Sequence, residues 1–130
     1  MMHTRAEILA QAFLGMKCRL PTCSFFKFCV GLTDWVVKPV VTKDNELCGG
    51  VFIKMNEIHI SVNSSYKGSW GLRSVLRLHL NPTMKTWGYV ITKTHSDSGC
   101  NEFIQRIGFT PKYVDESGYV HYELRRVKYV

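Results

Sequence analysis

The sequence predicts a single α+β domain built on a largely antiparallel sheet flanked by helices, and three observations predict it. Two helical segments with apolar or aromatic faces open the chain, and β-branched runs separated by polar turns follow from Trp35. The stretch from Glu57 to Leu80 then passes from an alternating strand through a small-residue loop into an amphipathic helix. The resulting order is ααβββαβαββ, a mixed α/β layout without internal repeat, low-complexity segment or linker, so residues 1–130 read as one domain.

Each element has a local cause. Thr4 and Glu7 have the spacing of a capping box, which starts a helix through Leu14 with Gly15 near its end and Ile8, Leu9, Ala12 and Phe13 on one face. Ser24 to Thr33 carries Phe25, Phe26, Phe28, Cys29 and Leu32 at helical spacing, a stripe that belongs to a core. Trp35 to Thr42 and Leu47 to Lys54 form a hairpin around the polar turn 43–46, with Pro39 implying an edge strand and Gly49-Gly50 a bulge. Met55-Asn56 links tightly to the strand Glu57 to Val62. In the helix Gly71 to Leu80, Leu72, Val75, Leu76 and Leu80 form the buried stripe, Arg73 and Arg77 share another face, and Asn81-Pro82 is expected to end it. Trp87 to Thr92 reads as a buried strand and 96–99 as a loop. Asn101 to Gly108 reads as a short helix. Phe109 to Val114 and Tyr119 to Val127 are strands joined by the turn 115–118.

Composition excludes several classes. No apolar run approaches the roughly 20 residues of a membrane helix, and the Met-Met-His-Thr-Arg-Ala-Glu start lacks the basic and apolar regions of a signal peptide. A cytoplasmic protein without membrane contact is expected. The five cysteines, Cys18, Cys23, Cys29, Cys48 and Cys100, form no Cys-x-x-Cys pair, and the five histidines form no His-x-x-x-His pair. Reduced, packing cysteines and no metal site are therefore expected. The net charge of +7 is unevenly spread: from Ile58 to Ser96 there is no Asp or Glu, while Lys67, Arg73, Arg77, Lys85 and Lys93 fall there. Such a field attracts phosphate-bearing ligands, either a nucleic acid or a phosphorylated cofactor. A strand, a small-residue loop and a helix N-terminus in succession form an anion site of the same preference.

Two motifs carry a family resemblance. Ile60-Ser-Val62, then Tyr66-Lys-Gly68 and a helix, and later Phe103-Ile-Gln-Arg-Ile-Gly-Phe109, resemble the cofactor strand, turn and helix and the later "Phe-Tyr-x-Lys-x-Gly-Phe" motif of the GCN5-related N-acetyltransferase (GNAT) superfamily. The resemblance covers nearly the whole chain, except that the first strand of the family has no counterpart. The trimmed form resembles small bacteriophage-encoded acetyltransferase-like proteins, which implies a host cytoplasm.

The resemblance implies acetyl-coenzyme A as cofactor and a primary amine, on a small molecule or a protein, as acceptor. It places Ile60, Ser61 and Val62 along the pantetheine arm, with the Val62 backbone on the thioester or amide carbonyl. Lys67, Gly68, Ser69, Trp70, Gly71, Leu72 and Arg73 then cradle the pyrophosphate. Two positions depart from the pattern, since Trp70 and Leu72 stand where the family has small residues. A third departure is Ile104, which occupies the place of the family's acid tyrosine and leaves Tyr66, Tyr89 or Tyr113 as substitutes; Asp97 corresponds to the family's Asn at the start of that helix.

Amine acetylation needs a base. The period of two puts Glu57, His59 and Ser61 on one strand face, so Glu57 is the first candidate base and His59 the second. The plain alternatives are a strand-end carboxylate and a structural histidine. Two further readings stay open: a catalytically degenerate fold that binds a protein or RNA, and an acetyltransferase acting on a nucleic-acid-bound amine, with RNA held through the basic 58–96 stretch.

Overall fold

The computed structural model describes residues 3–16, 24–66 and 72–125. It contains α1 (Arg5–Met16), α2 (Phe25–Gly31), β1 (Val36–Val41), β2 (Leu47–Lys54), β3 (Glu57–Val62), a 3₁₀ turn (Ser64–Tyr66), α3 (Leu72–Val75), a π-helical turn (Leu76–Leu80), α4 (Asn81–Trp87), β4 (Val90–His95), α5 (Cys100–Ile107), β5 (Thr110–Val114) and β6 (Tyr119–Leu124). If the run from α3 through α4 is counted as one bent helix, the order is the predicted ααβββαβαββ. The six strands are ordered β1-β2-β3-β4-β6-β5, with β1–β2, β4–β6 and β5–β6 antiparallel and β3–β4 parallel. Both proline-bearing strands, β1 with Pro39 and β5 with Pro111, take the edges, where a missing N–H costs no ladder bond. Among the described residues no helix is long and apolar enough to cross a membrane.

The chain divides into two compact units, one of Met1–Lys54 with His59–Leu72, the other of Met55–Ile58 with Arg73–Val130. In the first, the capping box closes as its spacing demands: the Thr4 hydroxyl accepts from the Glu7 N–H at 3.1 Å, and the Glu7 carboxylate accepts from the Thr4 N–H at 2.9 Å. Those bonds to the charged form hold the Glu7 carboxyl below the usual carboxylate range. Ser24 caps α2 by accepting from the Lys27 N–H at 3.2 Å. The Arg5 guanidinium donates to the carbonyls of Leu32 and Trp35, which ties α1 to the turn between α2 and β1.

The core of this unit is Leu9, Ala12, Phe28 and Phe52, edged by Phe13, Cys29, Leu32, Trp35 and Val37. Phe28 meets Phe13 at 5.3 Å and Phe52 edge-on at 6.0 Å between ring centroids. The aromatic stripe is thus core at Phe28, whereas Phe26 is 76 % exposed. The β1–β2 ladder shifts register between Val40 and Val41, which skips Cys48. The bulge therefore adjoins the two glycines, and these have another task. A Cβ on Gly49 would collide with the Ser61 carbonyl, and one on Gly50 would lie 2.8 Å from Ile8. Cys48 is buried, its thiol pushed up by desolvation and donating to the Val40 carbonyl at 3.3 Å; among the described residues Cys29, Cys48 and Cys100 are not joined by disulfides. Cys18 and Cys23 lie outside the described residues.

In the second unit two expectations need correction. Asn81-Pro82 does not end the helix, which continues to Trp87. Proline breaks a regular helix because it lacks an N–H and its ring meets the carbonyl four residues back. Here the π turn just before it adds a residue to the turn, with the Asn81 N–H donating to the Leu76 carbonyl, and Pro82 falls in the first turn of α4. Burial of Val75, Leu76, Leu80 and Thr83 secures the bent run. The strand expected from Trp87 begins only at Val90, because Gly88, with φ 84°, is the left-handed cap of α4 and donates to the Met84 carbonyl at 2.7 Å. β4 then runs to His95, and α5 ends at Gly108 as predicted.

Two predictions follow from these contacts. Gly49→Ala should lower the unfolding free energy by about 1–3 kcal/mol through overpacking, whereas Gly99→Ala, with nothing within 4 Å of its added methyl, should change it by less than about 0.5 kcal/mol; urea titration of both reads the difference. Thr4→Ala should cost about 1 kcal/mol. Because the folded-state Glu7 value is depressed, the stabilisation it adds is full above the ordinary carboxylate range and is lost as pH falls through the lowered value. A wild-type minus Glu7→Gln difference should therefore shrink on acidification, as read by thermal melts.

Candidate functional site

β3 and the turn after it carry most of the predicted site residues, and their surroundings decide what each can do. Simple alternation puts Ile58, Ile60 and Val62 inside and the polar set outside. Instead Ile58 and Ser61 are the buried residues, while Glu57, His59, Ile60 and Val62 are half-buried. Ser61, 3 % exposed, donates its hydroxyl to the Ala12 carbonyl in α1 at 2.6 Å. Gly15 lies so close to the end of β3 that a Cβ there would run into the Val62 carbonyl and the Ser61 hydroxyl. The Ser61 side chain is thereby used to seat α1 on the strand, which leaves its backbone as the part that can meet a ligand. His59 sits edge-on to the Trp35 ring at 5.4 Å, and the Lys54 ammonium lies 5.9 Å over the same ring. Glu57, on the part of β3 that belongs to the second unit, stands opposite Ile91, and the Ile91 N–H donates to the Asn56 carbonyl at 2.9 Å.

Asn63, which the sequence reading passed over, fixes the exit from β3. Its N–H donates to the Cys48 carbonyl at 2.7 Å, its amide donates to Gln11 at 3.0 Å, and its side-chain oxygen accepts from the Ser65 N–H at 3.1 Å. Its carbonyl accepts from the Tyr66 N–H at 2.9 Å and so closes the 3₁₀ turn. The available signal was the Asn-x-Ser pattern of an Asx turn directly after a strand. Lys67, Gly68, Ser69, Trp70 and Gly71 lie outside the described residues. Leu72 and Arg73 open α3, where the backbone is described and the side chains are not; Arg77 is exposed.

Of the candidate acids, Tyr66 has its hydroxyl engaged, whereas the contacts of Tyr89 and Tyr113 are made by their rings. Tyr66 is hydrogen-bonded to Glu46, and that carboxylate raises the phenol above its usual range, the wrong direction for a proton donor. Tyr89 carries the Arg125 guanidinium 5.0 Å from its ring centroid, and Tyr113 is stacked on His121. Ile104 is half-buried in α5. Asp97 is solvent-exposed beside His95 at 3.6 Å. Asn101 gathers the loop ahead of α5: its amide donates to the carbonyls of His95, Ser96 and Ser98 at 3.0, 3.3 and 2.7 Å, and its oxygen accepts from the buried Tyr122 hydroxyl at 2.5 Å. Among the described residues no group of three His, Cys, Asp or Glu side chains is placed to hold a metal ion.

No protein-family model matches the chain, and no curated protein sequence matches it. Solved structures do. The chain is similar to the ribosomal-protein-S18-alanine N-acetyltransferase from Escherichia coli, with 12 % identity, TM-score 0.64, and 95 % of this chain against 90 % of that one. It is similar to the PaiA N-acetyltransferase from Thermoplasma acidophilum, solved in complex with coenzyme A, with 15 % identity, TM-score 0.63, and 96 % against 97 %. A GCN5-related N-acetyltransferase from Rhodopseudomonas palustris matches with 13 % identity, TM-score 0.64, and 93 % against 87 %. The fold is therefore of the mixed α+β acetyltransferase type. In particular it is the fold of the GCN5-related N-acetyltransferases, as the two sequence motifs imply.

The engagement of Ser61 yields a prediction. Ser61→Ala should destabilise the fold by about 1 kcal/mol, the worth of one hydrogen bond; a urea titration that shows no loss would remove this packing role from the hydroxyl.

Proposed function

We propose that the protein is an acetyl-coenzyme A-dependent N-acetyltransferase that moves an acetyl group to a primary amine in a ternary complex. The observation that carries this reading is the succession of β3, the Asn63-locked turn and the helical run that opens at Leu72, within a fold whose solved examples are N-acetyltransferases. One of those examples is a complex with coenzyme A.

The residues fit the cofactor in part. Ile60 and Val62 are half-buried apolar positions suited to a pantetheine arm, and backbone groups of 60–62 are the donors and acceptors left to it once the Ser61 hydroxyl is committed to Ala12. Residues 67–71, with Lys67 for charge and Gly68 and Gly71 for close approach, would meet the pyrophosphate ahead of Leu72 and Arg73. When bound, the cofactor supplies an activated acyl carbon. The task left to the chain is to remove a proton from the attacking ammonium, and Glu57 is the first base for it, with His59 second.

The test has two stages. Isothermal titration with acetyl-coenzyme A should show saturable binding, and a flat titration would overturn the reading. Thiol release in the presence of a panel of primary amines should then fall by about 10²-fold or more in Glu57→Gln with cofactor affinity retained; activity equal to wild type would remove Glu57 from the role.

A second reading has its own support. Ile104 replaces the acid tyrosine, and the hydroxyl of one substitute, Tyr66, is bonded to Glu46. A degenerate acetyltransferase fold that binds a protein or RNA partner accounts for this. It forecasts no thiol release with any amine, whether or not coenzyme A binds.

A further inference from the structure

In the second unit, one face of the β4–β6–β5 sheet is buried and the other is not. Val90, Thr92 and Thr94 of β4 and Tyr122 and Leu124 of β6 point to the buried side. The alternate residues share the opposite side through direct cross-strand pairs: Lys93 with His121, His95 with Tyr119, and Tyr113 with His121. These five residues form a continuous surface of rings and cations. Tyr113 lies flat on His121, with centroids 4.3 Å apart and planes 10° from parallel, and at 59 % exposure it turns its other face to water. Tyr119 meets His95 edge-on at 5.5 Å and carries the Lys93 ammonium 5.3 Å from its centroid. The surface is held in place. Asp115 accepts from the Ser117 and Tyr119 N–H groups at 2.9 and 3.1 Å and pairs with His121 Nε2 at 2.8 Å. Gly118, at φ 87°, leaves the room that the His95 ring occupies.

We propose that this face is a platform for single-stranded nucleic acid, with a base stacked on the outer face of Tyr113 and phosphates drawn to Lys93. Three features favour that occupant. Flat aromatic stacking with an open π-face suits bases that are free of a duplex, since paired bases keep their faces covered. Two carboxylates of this face are already engaged, Asp115 by a hydrogen bond to His121 at 2.8 Å and Glu123 by the Arg125 guanidinium, which limits their repulsion of a polyanion. The segment that supplies Lys93 and His95 belongs to the stretch 58–96, which contains no acidic residue, in a chain of net charge +7. The proposal makes no use of acetyl transfer and stands apart from it.

The test is fluorescence anisotropy of the full chain with labelled oligouridine, oligothymidine and a duplex of equal length, without acetyl-coenzyme A. Saturable binding to one or both single strands is expected, the preference between them reporting whether a 2′-hydroxyl is read. Tyr113→Ala should weaken it about tenfold, the worth of one stacked base, and Tyr113→Phe should restore it to within about twofold. Lys93→Gln should weaken binding and lower the salt slope by about 0.7, one phosphate contact on a single strand. Because Tyr113 is exposed, loss of binding with an unchanged melting temperature is the expected signature. Absence of binding at low salt, equal affinity for the duplex, or an unchanged affinity in Tyr113→Ala would each overturn the proposal.

Discussion

The contact between α1 and the end of β3 sets the first unit. A helix backbone can approach a strand this closely only where no side chain intervenes, and Gly15 provides that place against the Val62 carbonyl. Ser61 then bonds to Ala12 across the same gap, and on the neighbouring strand Gly49 admits the Ser61 carbonyl. With β3 held from above and from the side, Asn63 can anchor the strand's exit to both Gln11 and Cys48. The turn at 64–66 is therefore a consequence of helix–strand packing as much as of its own sequence. Any ligand that uses the backbone of 60–62 depends on that packing.

The second unit depends on a different device. Its long helical run accommodates Pro82 because the proline falls in the first turn of α4, directly after the π turn, and buried Leu76, Leu80 and Thr83 hold that part of the run in place. Farther on, Asn101 gathers three loop carbonyls and the Tyr122 hydroxyl, which ties the β4–α5 connection to β6. One sheet face is closed by these elements, and the other presents Lys93, His95, Tyr113, Tyr119 and His121. Catalysis and nucleic-acid binding would thus draw on separate features of one fold.

Local signals were read where local chemistry decides. The Thr4–Glu7 box, the Gly108 stop and both ends of β3 are as their spacing demands, since each depends on residues within a few positions. The misreadings share a cause. Pro82 was weighed as a breaker without the burial that holds the run on either side of it, and Trp87 was weighed for strand propensity although Gly88 already marked a helix end. Within the site, alternation set Glu57, His59 and Ser61 on one face, but Ser61 is buried while Glu57 and His59 are half-buried. The commitment of Ser61 to Ala12, 49 residues away, was not legible in the sequence. Neither was the tie between Tyr66 and Glu46 that withdraws a candidate acid.

By itself the sequence determined the element order, one edge strand through Pro39, the basic stretch 58–96 and the two motifs of the acetyltransferase fold. These follow from periodicity, backbone chemistry and charge, which act along the chain. Only the tertiary structure decided which polar groups are spent on packing and which remain for chemistry. The choice turns on partners brought together across tens of residues: Ser61 with Ala12 of α1 and Asn63 with Gln11. A hydroxyl, amide or ring has the same sequence signature in either role, and its neighbour in space assigns it.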